Sequence, residues 1–307
     1  MGGDLAVATA ILRAACGPRL RTDVPLAPLT SFRLGGPASL FLEPQDDDDL
    51  RAASDAIGAS GVSFLVLGKG SNVLVADEGF PGLVLRLGRG FRWVARDGDR
   101  LLAGGAIALP ALAGVAAQHA LDGLAFGVAI PASLGGAVRM NAGAHGSQVG
   151  DVIEKIDVHM LGEGRRTSLG RVDAGFGYRR SGLAPDAVVV GATFVLHPGD
   201  PARIRAAMDA ARDWRRATQP LAEPNCGSVF TNPEGDHAAR LIEEAGLKGL
   251  RVGGARVSDK HANFIVAGEG ATAADVRALI DTIRDSVAER TGVMLLPEVR
   301  AVGPEDA

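Results

Sequence analysis

Short apolar runs separated by glycine-rich turns fill the first 200 residues, and longer stretches with a helical period follow. Val62–Leu67, Val73–Ala76, Leu83–Leu87, Arg92–Ala95, Val152–His159 and Ala187–Leu196 are compact apolar runs bounded by turn residues, a pattern that predicts strands. Between them, Asp46–Asp49 predicts the solvated start of a helix, because carboxylates favour the positive end of the helix dipole. Leu109–Ala120 predicts another helix, with Pro110 in its first turn. After residue 200 the period changes. Arg203–Ala217 is helical in pattern, and Asp236–Ala245 places Ala238, Leu241, Ile242 and Ala245 on one face before the stop at Gly246. Thr272–Arg290 places Val276, Leu279, Ile280, Ile283 and Val287 on one face, and a short strand, Phe264–Ala267, lies between these two helices. The change predicts a smaller second α+β unit beginning near Trp214.

A length of 307 residues allows about two domains at roughly 150 residues each. Glycine is the compositional outlier: 42 residues, roughly twice the ordinary ~7 %, with no collagen period. That excess implies many tight turns, or backbone that approaches a ligand closely. The 32 Lys and Arg against 36 Asp and Glu give a net charge of −4, which argues against a nucleic-acid partner. Cys16 and Cys226 do not form a spaced disulfide framework, so a reducing cytoplasm is expected. Asp4 and Arg13 are wrong for a signal peptide, and Leu101–Leu121 is interrupted by Gly104, Gly105, Pro110, Gln118 and His119, unlike a membrane span. The six histidines have no metal-ligand spacing, so no metal site is expected.

Several segments could carry chemistry. Gly68-Lys69-Gly70-Ser71-Asn72 follows one strand and precedes another; it could form an anion nest for a pyrophosphate, although taken alone it reads more simply as an ordinary strand-to-strand turn. It matches neither the G-x-G-x-x-G fingerprint nor a Walker A loop. Gly127–Gly146 is almost uncharged and built of small residues, with Pro131 before a short helix; a flat ring could lie on it, or it could be a packed core turn. Tyr178-Arg179-Arg180 sets guanidinium groups beside the single tyrosine, and a planar guanidinium suits a carboxylate or phosphate. Pro224–Phe230 places Ser228 after a glycine without forming a G-x-S-x-G elbow. Glu298, between apolar neighbours, is either an exposed edge residue or a partly buried acid.

Taken in order, these segments resemble the MurB family, the UDP-N-acetylenolpyruvoylglucosamine reductases of bacterial peptidoglycan synthesis. The likeness runs through Thr30–Gly36, Leu67–Leu74, Ile130–Gly146, Tyr178-Arg179, Asn225–Pro233, Ala245–Leu250, Val257–Phe264 and Pro297–Arg300, nearly the whole chain. It is closest in wording to the shorter branch, which lacks an inserted tyrosine-bearing loop. One departure is Ala129-Ile130-Pro131-Ala132, where the family commonly has G-I-P-G.

The resemblance implies an α+β protein: an N-terminal helix in 1–21, a vanillyl-alcohol-oxidase (PCMH) type FAD-binding domain of two subdomains in 22–200, a substrate domain in 201–295, and a strand in 296–307 that returns to the active site. It implies FAD and NADPH as cofactors and a UDP-sugar enolpyruvyl ether as substrate, in a cytoplasmic monomer without nucleic-acid or membrane partners. Gly68, Lys69, Gly70, Ser71 and Asn72 would hold the FAD pyrophosphate. Ile130, Pro131, Ser133, Gly135, Gly136, Asn141 and Gly143 would line the flavin. Arg179 would polarise the substrate carboxylate with help from Glu298, Ser228 would donate the proton, and Tyr178 and Asn232 would touch the substrate. An oxidase on the same fold has no need of the Tyr178, Arg179, Ser228 and Glu298 set, and a non-catalytic flavin- or nucleotide-binding protein would be yellow yet inert to every reductant.

Overall fold

The protein is described here by a computed structural model covering residues 3–306. Its contacts fall into two units, each assembled from separated segments. The first comprises the chain up to Thr22, Leu40–Lys69 and Gly82–Trp214; the second comprises Asp23–Ser39, Gly70–Pro81 and the chain from Arg215 on.

The centre of the first unit is the strand Ala187–Val195, buried along its length except at Val195. It pairs antiparallel with Ile153–Met160 on one side and Arg100–Gly104 on the other, and Arg165–Gly170 and Val94–Asp97 complete a five-stranded sheet. A strand covered on both faces reads as a continuous apolar run. Ala187 and Val189 enter a core with Leu101, Leu112 and Val138, whereas Val188 and Val190 enter another with Leu12, Leu50 and Leu83. Opposite Ile153–Met160 the register skips Val190, since Asp157 faces Gly191 and Val158 faces Val189. This bulge resets the alternation, so Ala192 and Phe194 return to the core that holds Val189. The helix Leu109–Gln118 and the buried face of Pro201–Thr218 (Ile204, Met208, Ala211) pack into the same core.

The second core of this unit lies under the helices Leu5–Cys16 and Asp47–Ser60. Asp46 caps the latter by accepting the Asp49 N–H, and Gly61 ends it in the left-handed region. The acidic run is not wholly a solvated face. Asp49 is buried, accepts the Gln45 N–H at 2.8 Å and pairs with Arg19 at 2.6 Å. Burial and that carboxylate push the Cys16 thiol up to about 11.

In the second unit the helices Ala238–Glu244 and Ala273–Thr291 share a core with the three-stranded sheet Arg251–Val252, Ala255–Val257, Ile265–Ala267. Thr272 and Asp275 form a capping box at the start of the long helix, and Asp77 accepts the Ala273 and Ala274 N–H groups. The buried stripe is Val276, Leu279, Ile280, Ile283 and Val287, as the periodicity predicts. Arg300–Val302 pairs parallel with Val73–Val75.

Most predicted elements are present with ends moved by a few residues. Arg92–Ala95 differs more: a 3₁₀ turn at Arg89–Phe91 precedes a strand at Val94–Asp97. No helix among the described residues is long and apolar enough to cross a membrane.

Candidate functional site

The small-residue segment of the first unit is stapled to the chain beside it. Leu134 and Gly135 donate to the carbonyls of Ile107 and Gly105, each at 2.8 Å, and Leu109 donates to Ala132 at 3.0 Å. Ser133 caps the short helix Leu134–Arg139 by accepting the Gly136 N–H. Gly68 lies against this cap, since a Cβ there would stand 2.4 Å from Ser133 Oγ. Ile130 is half-buried, Pro131 is exposed, and neither Ala129 nor Ala132 has a positive φ. The two alanines therefore sit without backbone strain, and the departure from G-I-P-G costs the local shape nothing.

Asn141 is fully buried with φ +41°, and its amide is committed to protein groups. Oδ1 accepts the Gly150 N–H at 2.8 Å, while Nδ2 donates to Gln148 Oε1 at 3.0 Å and to the Gly177 carbonyl at 2.9 Å. It ties the small-residue segment to the turn that carries Arg179. Gly143 is needed by its own hairpin, where a Cβ would come within 2.6 Å of the Ser147 carbonyl.

Gly177 to Arg180 is a tight turn closed by the Arg180 N–H on the Gly177 carbonyl. Positive φ falls on its third residue, Arg179 (φ +55°), where type II turns favour glycine. The half-buried Arg179 guanidinium lies 5.3 Å from the centre of the Tyr178 ring.

In the second unit Val229–Thr231 runs beside Leu296–Glu298. Glu298 donates its N–H to the Val229 carbonyl at 2.7 Å, Phe230 bridges Pro297, and Thr231 donates to Leu296 at 3.0 Å. Ser228 is half-buried, and its hydroxyl makes no hydrogen bond among the described residues. Burial and the nearby Glu298 carboxylate both push the Cys226 thiol up, so this cysteine is inert and the acid is close to the Ser228 turn. Asn72 Nδ2 donates to the Glu298 carbonyl at 3.0 Å, and Gly70 accepts the Ser31 N–H at 2.9 Å. Lys69 is exposed and Ser71 half-buried. Asn232, exposed, accepts the Ala238 N–H and so caps the helix Ala238–Glu244.

Two features of this unit carry no expectation from the sequence. One is a cleft of about 420 Å³ lined in part by Arg216, Glu223, Arg256, Asp259 and Lys260. The other is Asn263, buried under the Ser228 turn. A lone asparagine ahead of the apolar run Phe264–Ala267 was the available signal for the second.

Residues 219–302 match the family model described as UDP-N-acetylenolpyruvoylglucosamine reductase, C-terminal domain, and residues 38–170 match an FAD binding domain. UDP-N-acetylenolpyruvoylglucosamine reductase 2 of Symbiobacterium thermophilum is 46 % identical over 286 residues, covering 93 % of this chain and 92 % of that protein. The chain belongs to the MurB family. The MurB of Geobacter metallireducens is 43 % identical over 96 % of this chain and 97 % of its own length. The crystal structure of MurB from Thermus caldophilus superposes with a TM-score of 0.81 at 34 % identity, covering 92 % of this chain and 99 % of that one. Phl p 4.0202, a glucose dehydrogenase, shares the fold alone, with a TM-score of 0.51 at 15 % identity over 70 % of this chain and 51 % of its own. The expected α+β architecture, with a PCMH-type FAD-binding fold, is therefore the architecture of this MurB family member.

Whether these residues suit a flavin can be tested at Gly136. It is exposed in the first turn of a helix, and an added Cβ would meet only Ser133 Oγ, at 3.4 Å. The fold does not require glycine here, although glycine weakens a helix by roughly 0.5–1 kcal/mol relative to alanine. A flat ligand lying on the backbone supplies the missing reason, so the segment fits FAD. Gly136→Ala should therefore hold or raise the thermal midpoint of the apoprotein while weakening FAD retention severalfold. Flavin released on dilution measures the second effect, and unchanged retention would show that nothing lies on Gly136.

Proposed function

We propose that Arg179, Ser228 and Glu298 carry out the family's reaction in this chain: NADPH-driven, FAD-dependent reduction of UDP-N-acetylglucosamine enolpyruvate to UDP-N-acetylmuramate for peptidoglycan synthesis. The observation that supports these roles best is the pairing of Val229 with Glu298, which sets a carboxylate-bearing strand beside an uncommitted serine hydroxyl. FAD, when bound, supplies the hydride chemistry between NADPH and the enolpyruvyl methylene carbon.

The protein's contribution is position and charge. Hydride arriving at the methylene carbon pushes negative charge through the adjacent carbon onto the substrate carboxylate. The Arg179 guanidinium binds that carboxylate and stabilises the charge as it develops. Ser228 Oγ–H gives its proton to the adjacent carbon, a transfer favoured because an enolate-like carbon is a stronger base than the serine alkoxide left behind. Glu298 assists at this centre through its carboxylate. Tyr178 and Asn232 contact the substrate. The cleft at Arg216, Arg256 and Lys260 carries three cations against two carboxylates, a balance suited to the diphosphate of a UDP-sugar.

Gly68, Lys69, Gly70, Ser71 and Asn72 serve the FAD pyrophosphate, and Ile130, Pro131, Ser133, Gly135 and Gly136 the flavin. Asn141 and Gly143 support that surface through the hydrogen bonds and hairpin described above. Residues 22–200 act as the FAD-binding domain, 201–295 as the substrate domain, and 296–307 as a strand returning to the reacting groups. The working form in this reading is a cytoplasmic monomer without a nucleic-acid partner. NADPH oxidation by the purified yellow protein should depend on the UDP-sugar enolpyruvyl ether and consume no oxygen. Oxygen uptake matching NADPH loss in the absence of that substrate would make the protein an oxidase instead.

A further inference from the structure

The turn that bears Ser228 is held from below by one side chain. Asn263, only 4 % exposed, points its amide at the main chain of Phe230: Oδ1 accepts the Phe230 N–H at 2.9 Å, and Nδ2 donates to the Phe230 carbonyl at 2.8 Å. Its own carbonyl accepts the Val229 N–H, also at 2.9 Å. On the opposite side the Val229 carbonyl accepts the Glu298 N–H. The two residues after Ser228 thus have their N–H and C=O groups fixed, and both are buried.

Asn263 is itself fixed. It lies between the strands Ala255–Val257 and Ile265–Ala267, which pair from Ala255 with Ala267 to Val257 with Ile265. The connecting turn is closed by Ser258 Oγ, which accepts the Lys260 and His261 N–H groups, and by the Ser258 N–H on the Phe264 carbonyl. The Asn263 N–H is satisfied by His261 Nδ1 at 3.3 Å. A side-chain amide that imitates a β-bridge is therefore anchored on a sheet, and a proton donor needs such support, because small misplacements cost large factors in rate.

We infer that Asn263 is the positioning residue for the Ser228 hydroxyl: by clamping Val229 and Phe230 it sets where Ser228 delivers its proton. The inference rests on the proton-donor reading of Ser228. Asparagine is suited to the task because one group both donates and accepts. A carboxylate in its place could accept the Phe230 N–H but could not donate to the Phe230 carbonyl until protonated.

The test uses the FAD-loaded enzyme and follows the flavin absorbance through two half-reactions, bleaching by NADPH and recolouring by the UDP-sugar enolpyruvyl ether. Asn263→Ala should bleach normally and recolour about tenfold more slowly at saturating substrate, with the half-saturating substrate concentration changed less than twofold. Independently of turnover, amide hydrogen exchange should accelerate at Phe230 while the helix Ala273–Thr291 keeps its protection. Asn263→Asp should recolour slowly at alkaline pH and recover as acid protonates the introduced carboxyl, a profile that wild type does not share. If Asn263→Ala does not fold, this pH profile decides alone. Normal recolouring in a folded Asn263→Ala, equal slowing of both half-reactions, or a wild-type pH profile in Asn263→Asp would overturn the inference. Ser228→Ala in the same assay separates the two claims. If it recolours normally, both fall; if it is blocked while the Asn263 variants recolour normally, only the role of Asn263 falls.

Discussion

Ser228→Ala is expected to bleach normally with NADPH and then to recolour ~10²–10⁴-fold more slowly with the UDP-sugar enolpyruvyl ether, the usual span for a lost general acid. The substitution removes one oxygen from a half-buried position whose hydroxyl bonds to nothing among the described residues. The fold therefore loses no hydrogen bond. The main-chain clamps on Val229 and Phe230 do not involve the Ser228 side chain, so the turn keeps its place. Cys226, two residues earlier, is no substitute donor: burial and the Glu298 carboxylate both oppose its ionisation, and its thiol is buried. Stopped-flow absorbance at the flavin band separates the two half-reactions. Recolouring at the wild-type rate would remove Ser228 from the chemistry, whereas loss of both half-reactions would place its role in cofactor binding or folding.

Local and global signals for this fold differ in how openly the sequence displays them. The helix Ala273–Thr291 is fully legible, because its apolar stripe, its Thr272 cap and its Gly292 stop are all local. The strand Ala187–Val195 is legible as an apolar run, but its bulge at Val190 is not, since only the partner register reveals it. Arg165–Gly170 is hidden for the opposite reason: it is an edge strand with no buried residue, so no apolar alternation marks it. The burial of Asp49 is not legible in the acidic run, because its partner, Arg19, is 30 residues away in sequence. Assembly of each unit from separated segments, such as Val73–Val75 pairing with Arg300–Val302, depends on contacts that no local pattern encodes.

The site follows the same division. Ser228, Arg179 and Glu298 stand out by residue type and by a resemblance spread along the chain. What those cues lacked was the supporting shell. Asn141, expected on the flavin surface, also holds Gly150, Gln148 and Gly177 through its amide. Asn263 lies within Val257–Phe264 but carries no role legible in the sequence, because a clamp on backbone 33 residues distant leaves no periodic trace. Reactive groups advertise themselves by chemistry; the residues that aim them are visible only once the chain is folded.

Arg179 offers the second large effect, and its backbone makes the test unusually direct. A side chain other than glycine in the left-handed region costs roughly 1–3 kcal/mol when the surroundings must enforce it. The turn at Gly177–Arg180 would take glycine at its third place without that cost, and it holds arginine instead. Strain retained at a charged, half-buried residue accords with the carboxylate-binding role proposed for the guanidinium. Arg179→Gly should then lower turnover by ~10²–10³-fold, the loss typical of one preorganised group at developing charge, while the thermal midpoint stays level or rises. Arg179→Ala should lose as much activity and show no rise, because alanine keeps most of the strain. Arg179→Lys keeps the charge but not the planar fork, so it should fall between wild type and the other two. All three should remain yellow, with bleaching by NADPH intact. A colourless Arg179→Gly protein would move the arginine to cofactor binding. A fully active and more stable one would mean that the strain serves nothing in this reaction.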